Sequence, residues 1–481
     1  MSKKKFYVTA AIPYVNAKPH IGHALEFIET DVVKRFKKLQ GFDVLSLSGG
    51  DENALKNVQA AEVAQKDIQD FVDENTEKFR KLAIKLDAEF DGWQKGSDKK
   101  VHYPSSQKLW ELCKKNGDIY EENYTGLYCV GCEAFYTKNE LNEDGECKEH
   151  PGKKLEEVAE KNYFFKLSNY QDKLLKLIKS KEFEIVPKKR ENEVLSFIEL
   201  GLKDISISRS NERARNWGVP VPGDNGQRIY VWMDALNIYQ SGIGFGWDEK
   251  KYEKWWPADV HVIGKGILRF HAVYWPAFLL SAGLKLPKKI FVHEYLTVDG
   301  QKMSKTVGNV YDPVPLLEKM GADPLRYYLL AKISPFADGD FSEEKVYQTY
   351  TSDLVNGLGN LTARVAAMAE GEEIIIDSRL RGNDVGGGMT KGVGEKLEGF
   401  EFDKALGLIW DEIRKADKLI NEKEVWKLEG EKKKEVLTTL INQIRQIGVD
   451  LQPFLPETAK IIIKQFAGPK IVRGKNLFER L

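Results

Sequence analysis

The sequence lacks several features whose absence excludes whole classes of protein. Neither charge is in excess, because 73 Lys and Arg residues balance 73 Asp and Glu residues in a chain of 481. No apolar run reaches the roughly 18 residues that a membrane-spanning helix requires. The Lys-rich N-terminus is not followed by a long apolar core and a cleavage site, which excludes a signal peptide. We therefore predict a cytoplasmic protein without a membrane segment.

Cysteine is also scarce, since four cysteines in 481 residues cannot form a disulfide scaffold. Three of them cluster: Cys129 and Cys132 are followed, after fourteen residues, by Cys147 and then His150. Two close pairs of ligands joined by a hairpin are typical of a four-ligand structural zinc site. We predict one Zn²⁺ held by these four residues in a knuckle at about 126–152. The alternative is a set of ordinary buried thiols.

No internal repeat is present, and the length predicts roughly two to four domains. Hydrophobic residues make up 42% of the chain, which is enough for packed cores. A β-rich stretch at 6–11, helical periodicity over 21–40 and a short apolar run at 44–47 predict strand, helix and strand. This order is typical of an α/β fold with a doubly wound, Rossmann-like parallel sheet.

Residues 117–222 differ in character and contain the cysteine cluster, a charged stretch and short alternating pieces. We predict an inserted connective domain here, which splits the catalytic α/β domain into halves at 1–116 and 223–342. The parallel sheet is expected to resume with a strand at 228–232 that leads into a helix. It is expected to continue at 260–263.

Helical periodicity dominates from residue 343 onward. Apolar residues recur every three or four positions along 402–420, which predicts an α-helical bundle over 343–481. Within it, residues 378–394 contain six glycines and little apolar material. We predict a flexible surface loop for this segment.

Two histidines, His20 and His23, lie three residues apart where the first helix begins. Unbonded backbone N–H groups and the positive end of the helix dipole favour phosphate binding there. Gly22 lies between them and leaves space for a flat group. The alternative is a pair of solvated histidines at a helix start.

The last predicted strand of the sheet is the apolar run at 290–292. A second motif follows it, in which Lys302 and Lys305 lie three residues apart before Thr306. Such lysines suit phosphates whose charge grows during transfer. The alternative is a solvated basic turn. The order of this motif after His20 and His23 resembles the paired signature of class I aminoacyl-tRNA synthetases.

The chain resembles methionyl-tRNA synthetases in particular, over nearly its whole length. The matching stretches are the cysteine cluster and residues 11–23, 50–52, 230–235, 264–265, 275–276, 302–309, 323–328 and 358–361. The resemblance implies that ATP, with Mg²⁺, activates L-methionine to methionyl-adenylate. The methionyl group is then transferred to the 3′ end of tRNA(Met) for initiation and elongation of translation.

The resemblance also implies roles for individual residues. Catalysis would rest on His20, His23, Lys302 and Lys305, with Gly22 and Gly264 added for ATP binding. The methionine pocket would consist of Ile12, Tyr14, Asp51, Trp232, Ala235, Tyr239, Ile267, His271 and Trp275. Asn360, Arg364 and Trp426 would read the CAU anticodon. Asp51 could pair with the substrate ammonium, and aromatic rings suit a thioether. The alternatives are core packing of the pocket aromatics and of Trp426, and a helix-capping Asn360.

Four positions depart from the family pattern: Leu236, Thr306, Val425 and, most notably, Gly266, where an Asp near the ATP ribose is usual. The sequence ends at Leu481 without the further C-terminal module of many relatives, which predicts a monomer.

Three other functions are considered. One is a synthetase for Leu, Ile, Val or Cys. The enzymes for Leu, Ile and Val carry a long editing insertion, for which the insertion in this chain is too short. The enzyme for Cys holds zinc in its catalytic pocket, whereas the cysteine spacing here predicts a knuckle. A second is a synthetase-derived tRNA-binding protein without catalysis. A third is an adenylyltransferase acting on a small acid, which leaves the helical bundle unexplained.

Overall fold

The computed structural model describes residues 3–129, 134–136, 141–148, 152, 155–303, 309–374, 388–468 and 470–481. Two compact units are formed, each from discontinuous segments. The first unit comprises Met1–Pro19, Asp43–Leu82 and Phe90–His293. The second unit comprises His20–Phe42, Ala83–Glu89 and Glu294–Leu481.

The strands are numbered in chain order. They are β1 Lys5–Ala10, β2 Asp43–Gly50, β3 Gly92–Lys95, β4 Ile119–Cys129, β5 Ala134–Tyr136, β6 Glu156–Phe165, β7 Glu184–Val186, β8 Ile205–Ser206, β9 Ser208–Ser210, β10 Pro220–Val221, β11 Asp224–Ile229, β12 Val260–Gly264, β13 Lys289–His293, β14 Leu296–Val298, β15 Gln301–Lys302 and β16 Gly339–Phe341.

The α-helices are α1 Ile21–Leu39, α2 Leu55–Val63, α3 Ile68–Lys85, α4 His102–Lys115, α5 Gln171–Lys179, α6 Lys188–Glu199, α7 Val231–Leu236, α8 Ile238–Ser241, α9 Glu249–Trp255, α10 Trp275–Ser281, α11 Val314–Met320, α12 Ala322–Ala331, α13 Glu343–Thr349, α14 Asn360–Ala369, α15 Lys391–Glu398, α16 Phe402–Glu422, α17 Gly430–Leu451 and α18 Pro456–Gln465. Shorter 3₁₀ turns and two π-helical segments, Phe270–Tyr274 and Tyr350–Gly359, lie between them. Within the described residues, no helix combines the length and apolar character needed to cross a membrane.

The first unit is built around a six-stranded sheet in the order β3-β2-β1-β12-β13-β7. Every neighbouring pair in this sheet is parallel. The chain leaves β1 toward β2 and β3 on one side and later fills the other side with β12 and β13. The order therefore reverses between β1 and β12, and ligands of such sheets bind outside the carboxyl ends of the strands at this point. The predicted α/β class and doubly wound sheet are confirmed.

The expectation that the sheet resumes at 228–232 is wrong. Residues 224–229 form β11, which is antiparallel to β9 and β10 in a separate three-stranded sheet. Its side chains are mostly exposed or half-buried, whereas strands of a parallel sheet are covered on both faces. The parallel sheet resumes at β12. It also takes its edge strand, β7, from within the predicted insertion 117–222, whose limits as a domain stay a prediction.

A four-stranded antiparallel sheet, β5-β4-β6-β8, occupies much of the predicted insertion. β4 and β6 pair over ten positions, from Ile119 opposite Phe165 to Tyr128 opposite Glu156. At the far end of this sheet, Cys129 of β4 faces Ala134 of β5.

The second unit is mainly helical, with a small sheet of β14, β15 and β16. Helices α16, α17 and α18 each bury one apolar stripe, as the sequence periodicity predicts. Helix α15 begins at Lys391, so the predicted loop at 378–394 is wrong at its C-terminal end. Residues 378–387 of that loop lie outside the described part of the chain.

A buried arginine connects several segments of the second unit. The Arg326 side chain of α12 is fully buried, and its Nη2 lies 2.8 Å from Oδ2 of Asp31 in α1. Its Nε donates to the carbonyl of Phe454 (2.7 Å), its Nη2 to that of Pro453 (2.9 Å) and its Nη1 to that of Leu86 (3.1 Å). These partners hold the guanidinium in place, because a buried charge without partners is strongly destabilising.

Candidate active site

Asp51 lies in the first unit just beyond the carboxyl end of β2 and is 2% exposed. A bridge pairs it with Tyr14 on the segment after β1, and its backbone N–H donates to the carbonyl of Pro13 (3.0 Å). Asn57 donates to its carbonyl at 2.7 Å. The structure thus brings Asp51 and Tyr14 together at the edge where the topology predicts a ligand, and a carboxylate there suits a substrate ammonium.

Aromatic rings form a wall in the same unit. Tyr14 meets Trp232 edge to face with 6.0 Å between the ring centroids. Trp232 stacks on Phe270 at 3.7 Å with an interplanar angle of 5°. Tyr239 and Trp275 meet at 6.5 Å. Phe270 was missed from sequence, and its position directly before His271 is the signal that could have indicated it.

The burial of these rings does not by itself separate a pocket from ordinary core, because Trp232, Tyr239 and Trp275 are at most 6% exposed. Polar atoms are more informative. Nε1 of the buried Trp275 has no hydrogen-bond partner in the described part of the chain. A buried donor without a partner is rare in folded proteins, and a bound ligand is one explanation. Ala235 is buried, and Ile12 and Ile267 are partly buried against the same core.

The protonation of His271 follows from its two hydrogen bonds. Its Nδ1 lies 3.0 Å from the carbonyl oxygen of Ile267, which can only accept, so Nδ1 carries the proton. Nε2 therefore accepts from the hydroxyl of Tyr239 at 2.8 Å. Burial lowers the pKa of His271 to about 4. The imidazole is thus neutral at pH 7, and it lies in the π-helical turn, a local distortion frequent at functional sites.

A buried polar network fixes the short helix α7, which carries Trp232 and Ala235. Oδ1 of Asp234 lies 2.8 Å from Nε2 of His102, and Oδ2 accepts from Asn53 at 2.7 Å. Asn53 is two residues from Asp51, so the network links both sides of the pocket. Sequence reasoning missed His102 and Asp234, because these residues are 132 positions apart and no local pattern connects them.

His20 and His23 lie in the second unit, where His20 caps α1. The His20 ring accepts from the N–H of Gly22 at Nδ1, and the N–H of His20 donates to Nδ1 of His23, both at 3.1 Å. The rings are 3.8 Å apart. In the neutral form each ring must therefore carry its proton on Nε2, and both Nε2 atoms are donors of the kind that phosphate oxygens accept.

The expectation of unbonded backbone N–H groups at this helix start is wrong for its first two residues. The N–H of Ile21 donates to the carbonyl of Tyr311 at 3.0 Å, and that of Gly22 is used by His20. His20 and His23 accept these backbone hydrogen bonds at Nδ1. The donors offered to a phosphate at this helix start are therefore the Nε2–H groups of the two imidazoles. A Cβ at Gly22 would lie only 3.0 Å from Cε1 of His20, so glycine makes this fold possible.

Met303, which lies between the two lysines in sequence, approaches the same helix start within the second unit. Met303 places its methyl carbon 3.5 Å from where a Cβ of Gly22 would be. The backbone of Lys302 belongs to β15, which pairs with β14. The side chain of Lys302 and the whole of Lys305 and Thr306 lie outside the described residues.

Gly264 ends β12 in the first unit at the switch point of the sheet. A Cβ there would lie 3.3 Å from the ring of His293, so the position favours a residue without a side chain. Gly266 follows in an exposed 3₁₀ turn, Lys265–Ile267.

Comparison with known proteins agrees with this arrangement. The family of class I (M) tRNA synthetases matches residues 6–366. The methionine–tRNA ligase of Brucella melitensis is 39% identical over 98% of this chain and 93% of its own length. That of Thermotoga maritima is 38% identical over 99% of this chain and 80% of its own. The structure of Mycobacterium tuberculosis methionyl-tRNA synthetase with methionyl-adenylate aligns with a TM-score of 0.90 at 37% identity, covering 99% and 100% of the two chains.

The chain belongs to the methionyl-tRNA synthetase family. The resemblance noted from sequence is thereby confirmed. The alternative of a synthetase for Leu, Ile, Val or Cys is wrong, because relatives that match nearly the whole chain are methionine–tRNA ligases.

The residues expected at the anticodon of a methionyl-tRNA synthetase lie in the second unit. Asn360 is exposed and Arg364 lies one turn further along α14. The Arg364 guanidinium donates to Asp417 (2.5 Å) and Asn421 (2.9 Å) of α16, which fixes its plane. Trp426 lies in the 3₁₀ turn Val425–Lys427 and is 54% exposed.

Both structural alternatives for these residues are wrong. Trp426 is not a core residue, because its neighbour Val425 takes the buried position while the indole faces outward. Asn360 does not cap a helix, because the π-helical segment Tyr350–Gly359 continues directly into α14.

Of the four predicted zinc ligands, the structure describes Cys129 and Cys147. Both are buried, at 2% and 0% exposure. Cys132 and His150 lie outside the described residues. Among the residues that are described, no group of three or more potential ligands gathers, and the described cysteines form no disulfide with one another.

Proposed function

We infer that the chain is a methionine–tRNA ligase that works in two steps. The carboxylate of L-methionine attacks the α-phosphate of MgATP, which forms methionyl-adenylate and releases pyrophosphate. The terminal ribose hydroxyl of tRNA(Met) then displaces AMP. The observation that carries this function is the family match over nearly the whole chain. It is supported by the buried Asp51, which lies just beyond the carboxyl end of β2 in the parallel sheet.

In the first unit, methionine would bind with its ammonium at Asp51 and its side chain against the aromatic wall. Two fixed, neutral groups, the Tyr239 hydroxyl and His271, supply polar contacts without a charge that would favour a charged side chain. A polarisable thioether gains from ring contacts that a branched aliphatic chain makes less well. Ile12, Tyr14, Trp232, Ala235, Ile267 and Trp275 would complete the pocket.

In the second unit, His20 and His23 would bind ATP phosphates through Nε2–H, with Gly22 leaving room for the nucleotide. Gly264, in the first unit, stays a predicted ATP-binding residue. The attacking carboxylate is already ionised at pH 7, so no general base is needed. Catalysis would therefore rest on positioning and on Lys302 and Lys305, which oppose the charge that grows on the phosphates.

We propose that Asn360, Arg364 and Trp426 read the CAU anticodon. An exposed indole and a guanidinium held in plane by hydrogen bonds are each suited to stacking on unstacked RNA bases. We further propose that the protein acts as a monomer in the cytoplasm.

We propose that Cys129, Cys132, Cys147 and His150 hold one structural Zn²⁺. Cys129, which ends β4, and Cys147, in the segment between β5 and β6, are both buried thiols. They fit the donor set of such a site, since zinc prefers thiolate and imidazole ligands. A bound zinc would fix the fold of the knuckle, and a complete four-ligand shell leaves no position for catalysis.

The zinc proposal is tested by elemental analysis of the freshly purified protein. We expect one zinc per chain, and we expect Cys147→Ser to lose it together with thermal stability. Cys113→Ser, which changes a buried cysteine of α4 far from the cluster in sequence, is the control and should keep the metal. Wild-type protein without zinc would contradict the proposal.

The function is tested by pyrophosphate exchange with each of the twenty amino acids, followed by charging of tRNA(Met). We expect exchange with methionine alone, and charging of tRNA that carries CAU. A synthetase-derived RNA-binding protein would bind tRNA without exchange. An adenylyltransferase for another small acid would exchange with that acid and leave tRNA uncharged.

A further inference from the structure

Lys56 lies at the edge of the proposed methionine pocket, in the first unit. It is the second residue of α2 and is half-buried. Its Nζ lies 3.0 Å from the ring centre of Tyr14. A cation is attracted to the face of an aromatic ring when it lies within about 6 Å of the ring centre. The ammonium group therefore contacts one face of a side chain that is proposed to bind the substrate.

The position of Lys56 within α2 does not favour a lysine for the sake of the helix. The positive end of the helix dipole lies at the first turn, where a cation is repelled. This turn contains no acidic residue, and the N-cap residue Ala54 makes no side-chain cap hydrogen bond. A lysine here weakens the helix start, so its favourable contact must lie outside the helix. The ring of Tyr14 supplies such a contact.

The start of α2 is attached to Asp51, the residue proposed to bind the substrate ammonium. Asn57, the neighbour of Lys56, donates from Nδ2 to the carbonyl oxygen of Asp51 at 2.7 Å. Asp51 in turn forms a β-bridge with Tyr14. Lys56, Tyr14 and Asp51 therefore belong to one set of contacts, and a change in the orientation of the Tyr14 ring would change the shape of the pocket beside the carboxylate.

The Tyr14 ring has two restraints of different kinds. Trp232 meets it at an angle of 82° with 6.0 Å between the ring centroids, and Lys56 lies over one face. Tyr14 is half-buried, whereas Trp232 is buried, so packing restrains the Tyr14 ring less. Because Lys56 occupies one face, the ring can present only its other face and its edge to a substrate.

The ammonium of Lys56 has two possible uses at this place. It can hold the Tyr14 ring, or it can bind an anionic group of the reaction directly, such as the carboxylate of methionine or a phosphate of ATP. At 3.0 Å the ring covers one side of the ammonium. This favourable contact would be lost if the side chain turned toward an anion, so the observed geometry favours the first use.

We propose that Lys56 is a positioning residue for methionine, which holds the Tyr14 ring in the orientation that completes the pocket. Lys56 acts through Tyr14 and touches no reacting atom. Without the cation, the ring occupies other orientations for part of the time. The apparent affinity for methionine then falls with the fraction of molecules whose ring is in place. The proposal rests on the proposed function, because it presumes that methionine binds at Asp51 and Tyr14.

The first test is Lys56→Met, which removes the charge and keeps the length of the side chain. We expect the Kd of methionine, measured by calorimetry, to rise about threefold to tenfold, the range for one partly buried cation–π contact. In pyrophosphate exchange, kcat at saturating methionine and KM for ATP should stay near wild type. The melting temperature should also stay near wild type, because the lost contact and the removed repulsion from the helix dipole oppose each other.

A double-mutant cycle with Tyr14 separates the ring contact from other roles of the charge. In the Tyr14→Phe background, which keeps the ring, Lys56→Met should weaken methionine binding by the same factor as in wild type. In the Tyr14→Leu background, which lacks the ring, it should have no further effect. Lys56→Arg should keep most of the wild-type affinity, because a guanidinium also binds aromatic faces.

A second measurement decides the matter if Tyr14→Leu does not fold. L-methioninol is the amino alcohol that lacks the carboxylate of methionine. If Lys56 acts through Tyr14, Lys56→Met should weaken the binding of methioninol and of methionine by the same factor. If Lys56 binds the carboxylate, methioninol binding should be unaffected, which would overturn the proposal.

Lys108→Met is the matched control in the same unit. The Nζ of Lys108 lies 4.7 Å from the ring centre of Phe245, in a contact that includes none of the proposed pocket residues. Removal of this cation should leave the Kd of methionine unchanged. An equal rise of Kd in Lys108→Met would overturn the proposal, because the effect would then not depend on Tyr14.

Three further results would contradict the proposal. An effect of Lys56→Met that persists in Tyr14→Leu would mean that the ammonium acts on the substrate directly. A raised KM for ATP with an unchanged Kd of methionine would assign Lys56 to the phosphates of the reaction. An unchanged Kd and unchanged kinetics would make Lys56 a solvated cation at the pocket edge. Failure of the proposed function is distinct, because wild type would then lack methionine-dependent exchange.

Discussion

The residues proposed to bind methionine and those proposed to read the anticodon use similar side chains in opposite environments. Trp232 of the first unit is 6% exposed and stacked on Phe270, whereas Trp426 of the second unit is 54% exposed. In the pocket, His271 is held by hydrogen bonds at both ring nitrogens. Among the proposed anticodon residues, Arg364 donates to Asp417 and Asn421 of α16, and its side chain is 30% exposed.

The difference follows from the size of what is recognised. A small amino acid can be enclosed, so it is recognised by groups that also form the core and whose removal should affect folding. An RNA loop cannot be enclosed, so it is recognised by an exposed surface that contributes little to stability. Substitutions on the two sides should therefore separate binding from folding in different ways.

The largest effect on the reaction is expected at Lys305, which belongs neither to the proposed methionine pocket nor to the proposed anticodon residues. We expect Lys305→Ala to raise the barrier of adenylate formation by about 2–4 kcal/mol, the scale for one transition-state charge contact. Methionine affinity should hardly change. Single-turnover pyrophosphate release and methionine titration measure the two quantities. If affinity fell as much as the rate, Lys305 would belong with the amino-acid pocket instead.

The groups proposed to bind methionine also form part of the core. We therefore expect the free energy of unfolding to depend on pH through His271. Burial lowers the pKa of His271 to about 4, from 6.5 in the unfolded chain. Below pH 6.5 the unfolded chain therefore binds a proton that the folded pocket rejects, and the free energy of unfolding falls until about pH 4. This one group accounts for about 3 kcal/mol over that window.

Denaturant titrations between pH 7 and pH 4 test this expectation. His271→Gln should give a shallower decline than wild type, because the titrating group is gone. Trp426→Ala, the matched change on the exposed side, should follow the wild-type curve. Identical slopes for wild type and His271→Gln would show that His271 does not titrate in the pocket as expected.

At the exposed Trp426, we expect a substitution to weaken RNA recognition and leave stability unchanged. Removal of an aromatic ring that stacks on a base costs about 1–3 kcal/mol. We therefore expect Trp426→Ala to lower charging of tRNA carrying CAU by about one to two orders of magnitude. Methionine-dependent exchange and the melting temperature should stay close to wild type. Parallel loss of both activities would rule out the anticodon role.

The smallest effect concerns Gly266, where the family usually has an Asp near the ATP ribose. Gly266 lies in an exposed turn, so an added side chain meets solvent more readily than core. We expect Gly266→Asp to bind ATP at least as well as wild type, measured as KM in pyrophosphate exchange. Gly266→Asn, which adds the same shape without the charge, is the control. A clear loss of ATP affinity in both variants would mean that this space is already used.

Local patterns predicted those elements whose residues determine their own conformation. The helix predicted over 21–40 is observed at Ile21–Leu39, and the strand predicted over 6–11 at Lys5–Ala10. The strand expected at 228–232 was wrong, because its pairing with β9 and β10 depends on residues distant in sequence. The same limit applies to His102 and Asp234, whose contact fixes α7 across 132 positions.

The histidines at the start of α1 could be predicted from their spacing, whereas the residues of the proposed methionine pocket could not. His20 and His23 could be proposed from spacing alone, since a helix start brings residues three apart together. The hydrogen bonds of the backbone N–H groups there could not be predicted. One of these groups, that of Ile21, donates to the carbonyl of Tyr311, which is distant in sequence. The pocket residues came from the family resemblance, since buried aromatics have no spacing that distinguishes them from core.

The buried Arg326 limits how this protein could be divided into separate parts. The sequence suggests a boundary near residue 343, after which the helical bundle might be removed or exchanged as a module. Two of the carbonyl groups that receive Arg326, those of Pro453 and Phe454, lie far beyond that boundary, while its carboxylate partner Asp31 belongs to the helix that begins at His20. A chain cut at 343 would keep Arg326 and Asp31 but lose those two acceptors. The helix that carries the proposed ATP-binding histidines is therefore coupled through Arg326 to the bundle that carries the proposed anticodon residues. A bundle transplanted from another protein must supply carbonyl groups equivalent to those of Pro453 and Phe454.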